Sequence, residues 1–152
     1  MKDRRYIESR TALSISNKNF SRKCLEHNAD AKDLARIHNA CDKALYDMST
    51  QEIKDEYGKS NRPKADFLGT IMCSAESYAK DLSALSLDSK NANSAEDYID
   101  ISSEIHSEIR NQIIDKSGYL PEQLITGEDI KIVEKRYDKL TKEQLKAIET
   151  EY

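Results

Sequence analysis

The chain is poor in the residues that build turns, with four glycines and two prolines in 152 residues. A β-sandwich or barrel needs many tight turns made from those residues, so an all-β fold is not expected. Cysteine is scarce as well. Cys24, Cys41 and Cys73 are odd in number and form no C-x-x-C pair, which argues against a disulfide framework and against a zinc site. No apolar stretch approaches the roughly 18 residues of a membrane span. The basic start, Lys2, Arg4 and Arg5, is not followed by the apolar run of a secretory signal, so a cytoplasmic protein is expected. Apolar residues make up only 38% of the chain and charged residues 34%. That balance predicts one domain with a modest core and long helices that expose much surface.

Catalytic signatures are missing too. The sequence holds no phosphate-binding glycine loop, no G-x-S-x-G and no H-E-x-x-H. Its three histidines, His27, His38 and His106, are not spaced to put two metal ligands on one helix face. They read as surface or helix-end histidines, and Glu104 and Glu108 beside His106 point to a raised pKa. The expectation is a protein that is not an enzyme and needs no cofactor.

What is present is a set of helix starts. Ser49 with Glu52, Ser94 with Asp97, Thr126 with Asp129, and Thr141 with Gln144 each have the spacing of a capping box ahead of apolar residues at helical intervals. The pattern predicts an all-α single domain over 1–152, an irregular bundle of five to seven helices. A first helix spans about 5–16, Ser16 to Asn19 breaks it, and a short second helix carries Phe20, Cys24 and Leu25. Leu34, Ile37, Cys41, Ala44 and Leu45 form the stripe of an amphipathic helix over 30–47. Ser49 caps a short helix that stops at Gly58.

Pro63 suits the first turn of the next helix, expected over 62–86. Its apolar residues include Phe67, Leu68, Ile71, Met72, Tyr78, Leu82 and Leu85, which makes it the expected centre of the core, packed against 30–47 and 94–117. Tyr98, Ile101, Ile105, Ile109, Ile113 and Ile114 stripe a helix that ends at Gly118. After the extended connector Tyr119-Leu120-Pro121, a helix is expected over 127–140, then a weakly anchored tail helix from about 141.

Charge is unevenly placed. Residues 1–24 hold seven Lys or Arg against Asp3 and Glu8. Among them Arg4, Arg5, Arg10, Arg22 and Lys23 are the candidates for phosphate contacts, although a solvated face pairing with the acidic one is the favoured reading. The acidic face is Glu96, Asp100, Glu104 and Glu108, the candidate surface for a protein partner. Residues 49–65 have the outline of a helix-turn-helix, but the helix expected after Pro63 is too apolar to read DNA, and a core role is preferred.

Three blocks resemble a known family. They are Asp42-Lys43-Ala44-Leu45-Tyr46 with Ser49-Thr50-Gln51-Glu52-Ile53-Lys54; Ala65-Asp66-Phe67-Leu68-Gly69-Thr70; and, between 105 and 136, Glu108-Ile109-Arg110, Gly118-Tyr119-Leu120-Pro121-Glu122-Gln123-Leu124 and Glu128-Asp129-Ile130-Lys131. Together they resemble the helical C-terminal half of the DNA-damage-inducible protein D family, also described as phage antirepressors with a Bro-type N-terminal domain. The likeness spans about residues 5–136, and its Leu-Pro-Glu-Gln-Leu turn is the most specific part. No counterpart of the Bro-type domain is expected, so the resemblance implies the helical module acting alone.

The function expected is therefore a non-enzymatic regulatory module, in a phage or prophage setting, that binds a repressor or another host or phage regulatory protein. The alternatives are a DNA-damage-response factor using the basic arm, or a phage inhibitor of a host defence protein. Nucleic acid is the less favoured partner and no membrane is expected. A homo-oligomer is possible through a seam of Ile130, Val133, Tyr137, Leu140, Leu145 and Ile148, or through the Ile101 to Ile113 stripe.

Overall fold

The computed structural model describes residues 2–59, 61–139 and 146. It is an all-α single domain with six α-helices and no strand among the described residues. The tail expected from about 141, with Leu145 and Ile148, lies outside the described residues apart from Lys146, and so does Leu140.

Helix α1 runs unbroken over Lys2–Glu26, where the sequence predicts two helices and a break at 16–19. Ser16 is buried at the contact with the rest of the domain, and Asn19 accepts a bond from Arg22 at 2.8 Å. Tertiary packing thus overrides the weak helix preference of these residues. Leu25, expected beside Cys24 in the core, points outward.

Helix α2 spans Ala31–Tyr46 and α3 spans Thr50–Tyr57. Ser49 and Glu52 form the expected reciprocal capping box. Asp30 and Asp33 form another, which a search limited to Ser and Thr misses although aspartate caps as well as either.

The single helix expected over 62–86 is two pieces. Pro63 leads a 3-10 turn over Lys64–Phe67, and α4 then runs over Thr70–Ser89. Gly69 separates them at φ +86°, and a Cβ there would meet Thr126 Cγ2 at 2.6 Å. The returning chain lies against this point, with Thr126 N–H donating to Leu68 O at 3.2 Å and Gly127 N–H to Phe67 O at 2.9 Å. No α-helix follows Pro63 directly, so the helix-turn-helix outline is not realised.

Helix α5 covers Ala95–Ser117 and stops at left-handed Gly118. Ser94 Oγ accepts from Asp97 N–H, but Asp97 reaches back to Asn93 rather than to Ser94. Pro121–Leu124 forms a second 3-10 turn, and α6 spans Ile130–Asp138. Thr126 does not cap α6; Asp129 does, through Lys131 N–H at 2.9 Å.

Helix α4 packs chiefly on α1 and then on α5, while α2 lies on α5. The expected packing of α4 on α2 is confined to side-chain contacts such as Tyr46 on Glu76, and α1 takes the larger share. Helices α1 and α4 run parallel: Ser9 faces Ser74 near their starts, and Lys23 meets Asp88 at 2.8 Å near their ends. Ile130 and Val133 are buried in the domain's own core together with Ile105 and Ile109. The Ile101 to Ile113 stripe is thus turned into the core, as are Ile130 and Val133 of the other expected seam, whose Leu140, Leu145 and Ile148 lie outside the described residues.

Ion pairs tie the returning segments down. Arg62 grips Asp129 at 2.7 Å through both terminal nitrogens and Asp66 at 2.9 Å, while Arg10 meets Asp66 at 3.0 Å. Arg110 bonds Glu122 at 2.6 Å and the Leu45 carbonyl at 2.9 Å. Residues from all three of the resembling blocks meet in these contacts.

Candidate functional site

The five basic residues proposed for phosphate contact are not gathered on one face. Arg10 is turned inward to Asp66, and Lys23 pairs with Asp88. Arg4 pairs with Glu8 at 2.9 Å, and Arg22 lies 3.9 Å from Glu26. Arg5 is exposed. Among the described residues, the carboxylates paired with this arm come from α1 itself, the 3-10 turn and α4, and none from the acidic face of α5.

On α5, Glu96 meets Arg36 of α2 at 2.7 Å. Asp100, Glu104 and Glu108 stand exposed one turn apart, with the buried face of the helix, Tyr98, Ile105 and Ile109, turned away from them.

Helix α4 carries an unexpected surface. Ile71, Tyr78 and Leu85, all assigned to the core by the sequence, are 61%, 60% and 66% exposed. They recur every seven residues, which keeps them in one row on the solvent side of the helix, away from the buried Glu76 and Lys80. Tyr78 borders a groove between α1 and α4 with Glu8, Ala12 and Asp81. One turn beyond Ala12, Ile15 is also exposed.

The inward face of α4 carries charge instead. Glu76 and Lys80 are 1% and 2% exposed. Lys64 Nζ lies 2.5 Å from Glu76 Oε1 and 3.1 Å from Asp42 Oδ1, and the Tyr46 hydroxyl donates to the other Glu76 oxygen. Thr50 Oγ1 donates to Asp42 Oδ2 at 2.5 Å. Burial works against the Glu76 carboxylate, but Lys64 and Lys80 together outweigh it and hold its pKa at about 2. Asp42 is pushed upward by its burial, against the pull of Lys64. Two charges taken out of water are tolerated only when paired and hydrogen-bonded in this way.

Lys80 completes the cluster differently. Its ammonium donates to His106 Nε2 at 3.4 Å, and His106 Nδ1–H donates to the Ser102 carbonyl at 2.7 Å. Burial and then Lys80 lower the His106 pKa to about 3, the reverse of the raised value expected from Glu104 and Glu108. Those acids point to solvent, whereas the ring is 1% exposed. His38, hydrogen-bonded to Ser21 Oγ at 2.9 Å, is lowered to about 4 by burial and the two lysines. Neither is the surface histidine that the sequence suggests.

A cavity of about 210 Å³ opens on this cluster, walled by Asn17, His38, Asp42, Lys54, Lys64 and Lys80. The side-chain oxygen of Asn17 is buried without a hydrogen-bond donor. A larger cleft, about 440 Å³, lies between Tyr6, Ile71, Leu124 and the uncapped start of α4. Among the described residues no group of three or more His, Cys, Asp or Glu can hold a metal ion. The three cysteines are free and buried, and no helix is long and apolar enough to cross a membrane.

None of these interior groups stands out from the sequence as a site. The available signal was a Glu and a Lys four apart, Glu76 and Lys80, in the middle of the most apolar helix. No family model, no curated protein and no solved structure matches the chain.

Proposed function

We propose that the protein is a non-enzymatic regulatory module that works by binding another protein, as the resemblance to phage antirepressors implies. A repressor or another host or phage regulatory protein is the partner. The observation that supports this reading is the row Ile71, Tyr78 and Leu85. Burying them inside would have served folding, and a contiguous apolar surface left in water commonly marks a protein-binding face. The groove beside the row is edged by the carboxylates of Glu8 and Asp81, so the fitting occupant is a helix with an apolar stripe flanked by Lys or Arg. The ridge of Asp100, Glu104 and Glu108 on α5 would steer such a basic partner toward the domain.

Tyr78→Asp combined with Leu85→Asp tests the reading. The double variant should keep the native melting temperature and lose the partner that the native chain retains. A variant that holds the same partner as tightly as the native chain removes this face from the function. The nucleic-acid reading predicts DNA affinity that falls steeply with salt, and the dispersal of the basic residues among carboxylates does not favour it.

A further inference from the structure

The exposed row on α4 is the same from either end. Ile71 and Leu85 lie seven residues to either side of Tyr78, so when a second α4 is laid antiparallel with Tyr78 on Tyr78, Ile71 of each copy meets Leu85 of the other. Ala75 and Leu82, half-buried beside the row, then stand level across the pair. A seven-residue apolar repeat is the spacing of a helix-pairing seam. Helix α1 follows the same reversal, because Ser9 beside Ser74 and Lys23 beside Asp88 fix its register on α4. Its exposed Ile15 falls beside the exposed Ala12 of the other copy.

Charge selects the antiparallel direction. The exposed acid next to the row is Asp81, in the second half of α4, since Asp88 is held by Lys23 and His27. The first half, from Thr70 to Tyr78, has only Glu76, which is buried and paired with Lys64. Antiparallel pairing therefore sets Asp81 beside Ser74 of the other copy, whose hydroxyl makes only a 3.4 Å contact with Ser9 and can turn to donate. Parallel pairing would set Asp81 against Asp81, two like charges.

We infer that α4 pairs with α4 of a second copy of this chain, antiparallel and centred on Tyr78, and that the pair covers the apolar row until a partner takes it. A patch that matches itself under a two-fold rotation is the ordinary basis of a homodimer. This one is about 21 Å long at about 1.5 Å per residue and two helices, about 20 Å, wide. That is about half of the roughly 800 Å² per side of a standard interface, so the pair is weak and parts on dilution. A helix carrying Lys or Arg gives Asp81 a cation where the second copy gives only a hydroxyl, so such a partner displaces the copy. The displacement rests on the function proposed above; the pair itself does not.

The test is disulfide trapping of the full chain at high protein concentration under mild oxidation, with the native chain as control because Cys24, Cys41 and Cys73 are buried. Tyr78→Cys should link to itself, and Ile71→Cys mixed with Leu85→Cys should link across. Neither Ile71→Cys nor Leu85→Cys should link to itself, because its own counterpart lies about 21 Å away, out of reach of a disulfide that spans roughly 7 Å between Cα atoms. All three side chains stand mostly in water, so the variants should fold. Self-linking of Ile71→Cys or Leu85→Cys as fast as that of Tyr78→Cys, or no link in Tyr78→Cys above the native chain, overturns the pair. An amphipathic helical peptide of Leu and Lys should slow the Tyr78→Cys link, and an unchanged rate overturns the displacement. Partner loss in the double Asp variant with no link in Tyr78→Cys would keep the proposed function and remove this inference.

Discussion

Lys80 Nζ stands 3.4 Å from His106 Nε2, and the other ring nitrogen of His106 is committed to the Ser102 carbonyl at 2.7 Å. The carbonyl can only accept, so Nδ1 keeps the proton and Nε2 offers its lone pair to the lysine. Protonating this ring would set a second cation against Lys80 inside the domain.

A pH dependence follows from that pair and from His38. The folded-state values, about 3 for His106 and about 4 for His38, lie below the roughly 6.5 of an unfolded histidine. Between those limits the unfolded chain binds more protons than the folded one, so stability rises with pH. It should be fully present above about pH 6.5 and fall by roughly 2 kcal/mol between pH 6 and pH 5, since each such histidine contributes at most about 1.4 kcal/mol per pH unit. Urea unfolding across that range checks it, and His106→Gln should flatten the slope by about half.

Lys64 joins two buried carboxylates, Asp42 and Glu76. Lys64→Met should cost about 3–5 kcal/mol, because it leaves both acids buried without their shared cation. Chemical denaturation measures the loss. Raising the pH should not restore it, since ionising the acids worsens their repulsion.

Gly69 and Thr126 should behave as a coupled pair. Gly69→Ala forces a side chain into φ +86° and to within 2.6 Å of Thr126 Cγ2, for a loss of about 1–3 kcal/mol or more. Thr126→Ala removes the nearest atoms, so the double variant should lose less than the sum of the singles. Gly118→Ala, at φ +77° with open space around it, should cost only the backbone strain, about 1 kcal/mol.

Along α4, neighbouring positions should differ sharply. Ile71→Asp should change stability by about 0.5 kcal/mol or less, because the side chain is mostly in water. Met72→Asp, at a position with no exposure, should cost several kcal/mol. Thermal melts of the two variants compare them directly.

The sequence by itself determined the helical class, because scarce Gly and Pro leave few turns and Ser49 and Ser94 mark helix starts. Ser49 with Glu52, Ser94 and Gly118 act through backbone groups within four residues of themselves, so their effect is local and readable. The stripe Tyr98, Ile105 and Ile109 was equally plain, since the polar residues between them leave one choice of buried face. Tertiary structure alone decided where α4 begins and which way it faces. Its start depends on Thr126, distant in sequence but pressed against Gly69. Its facing cannot be read from periodicity, because apolar residues lie on every side and the interior took Glu76 and Lys80 while Ile71, Tyr78 and Leu85 stayed outside. That choice is stabilised only when Lys64, Asp42 and Tyr46 from other elements arrive to pair the buried charges. Long-range pairing of this kind leaves no spacing in the chain from which it could be inferred.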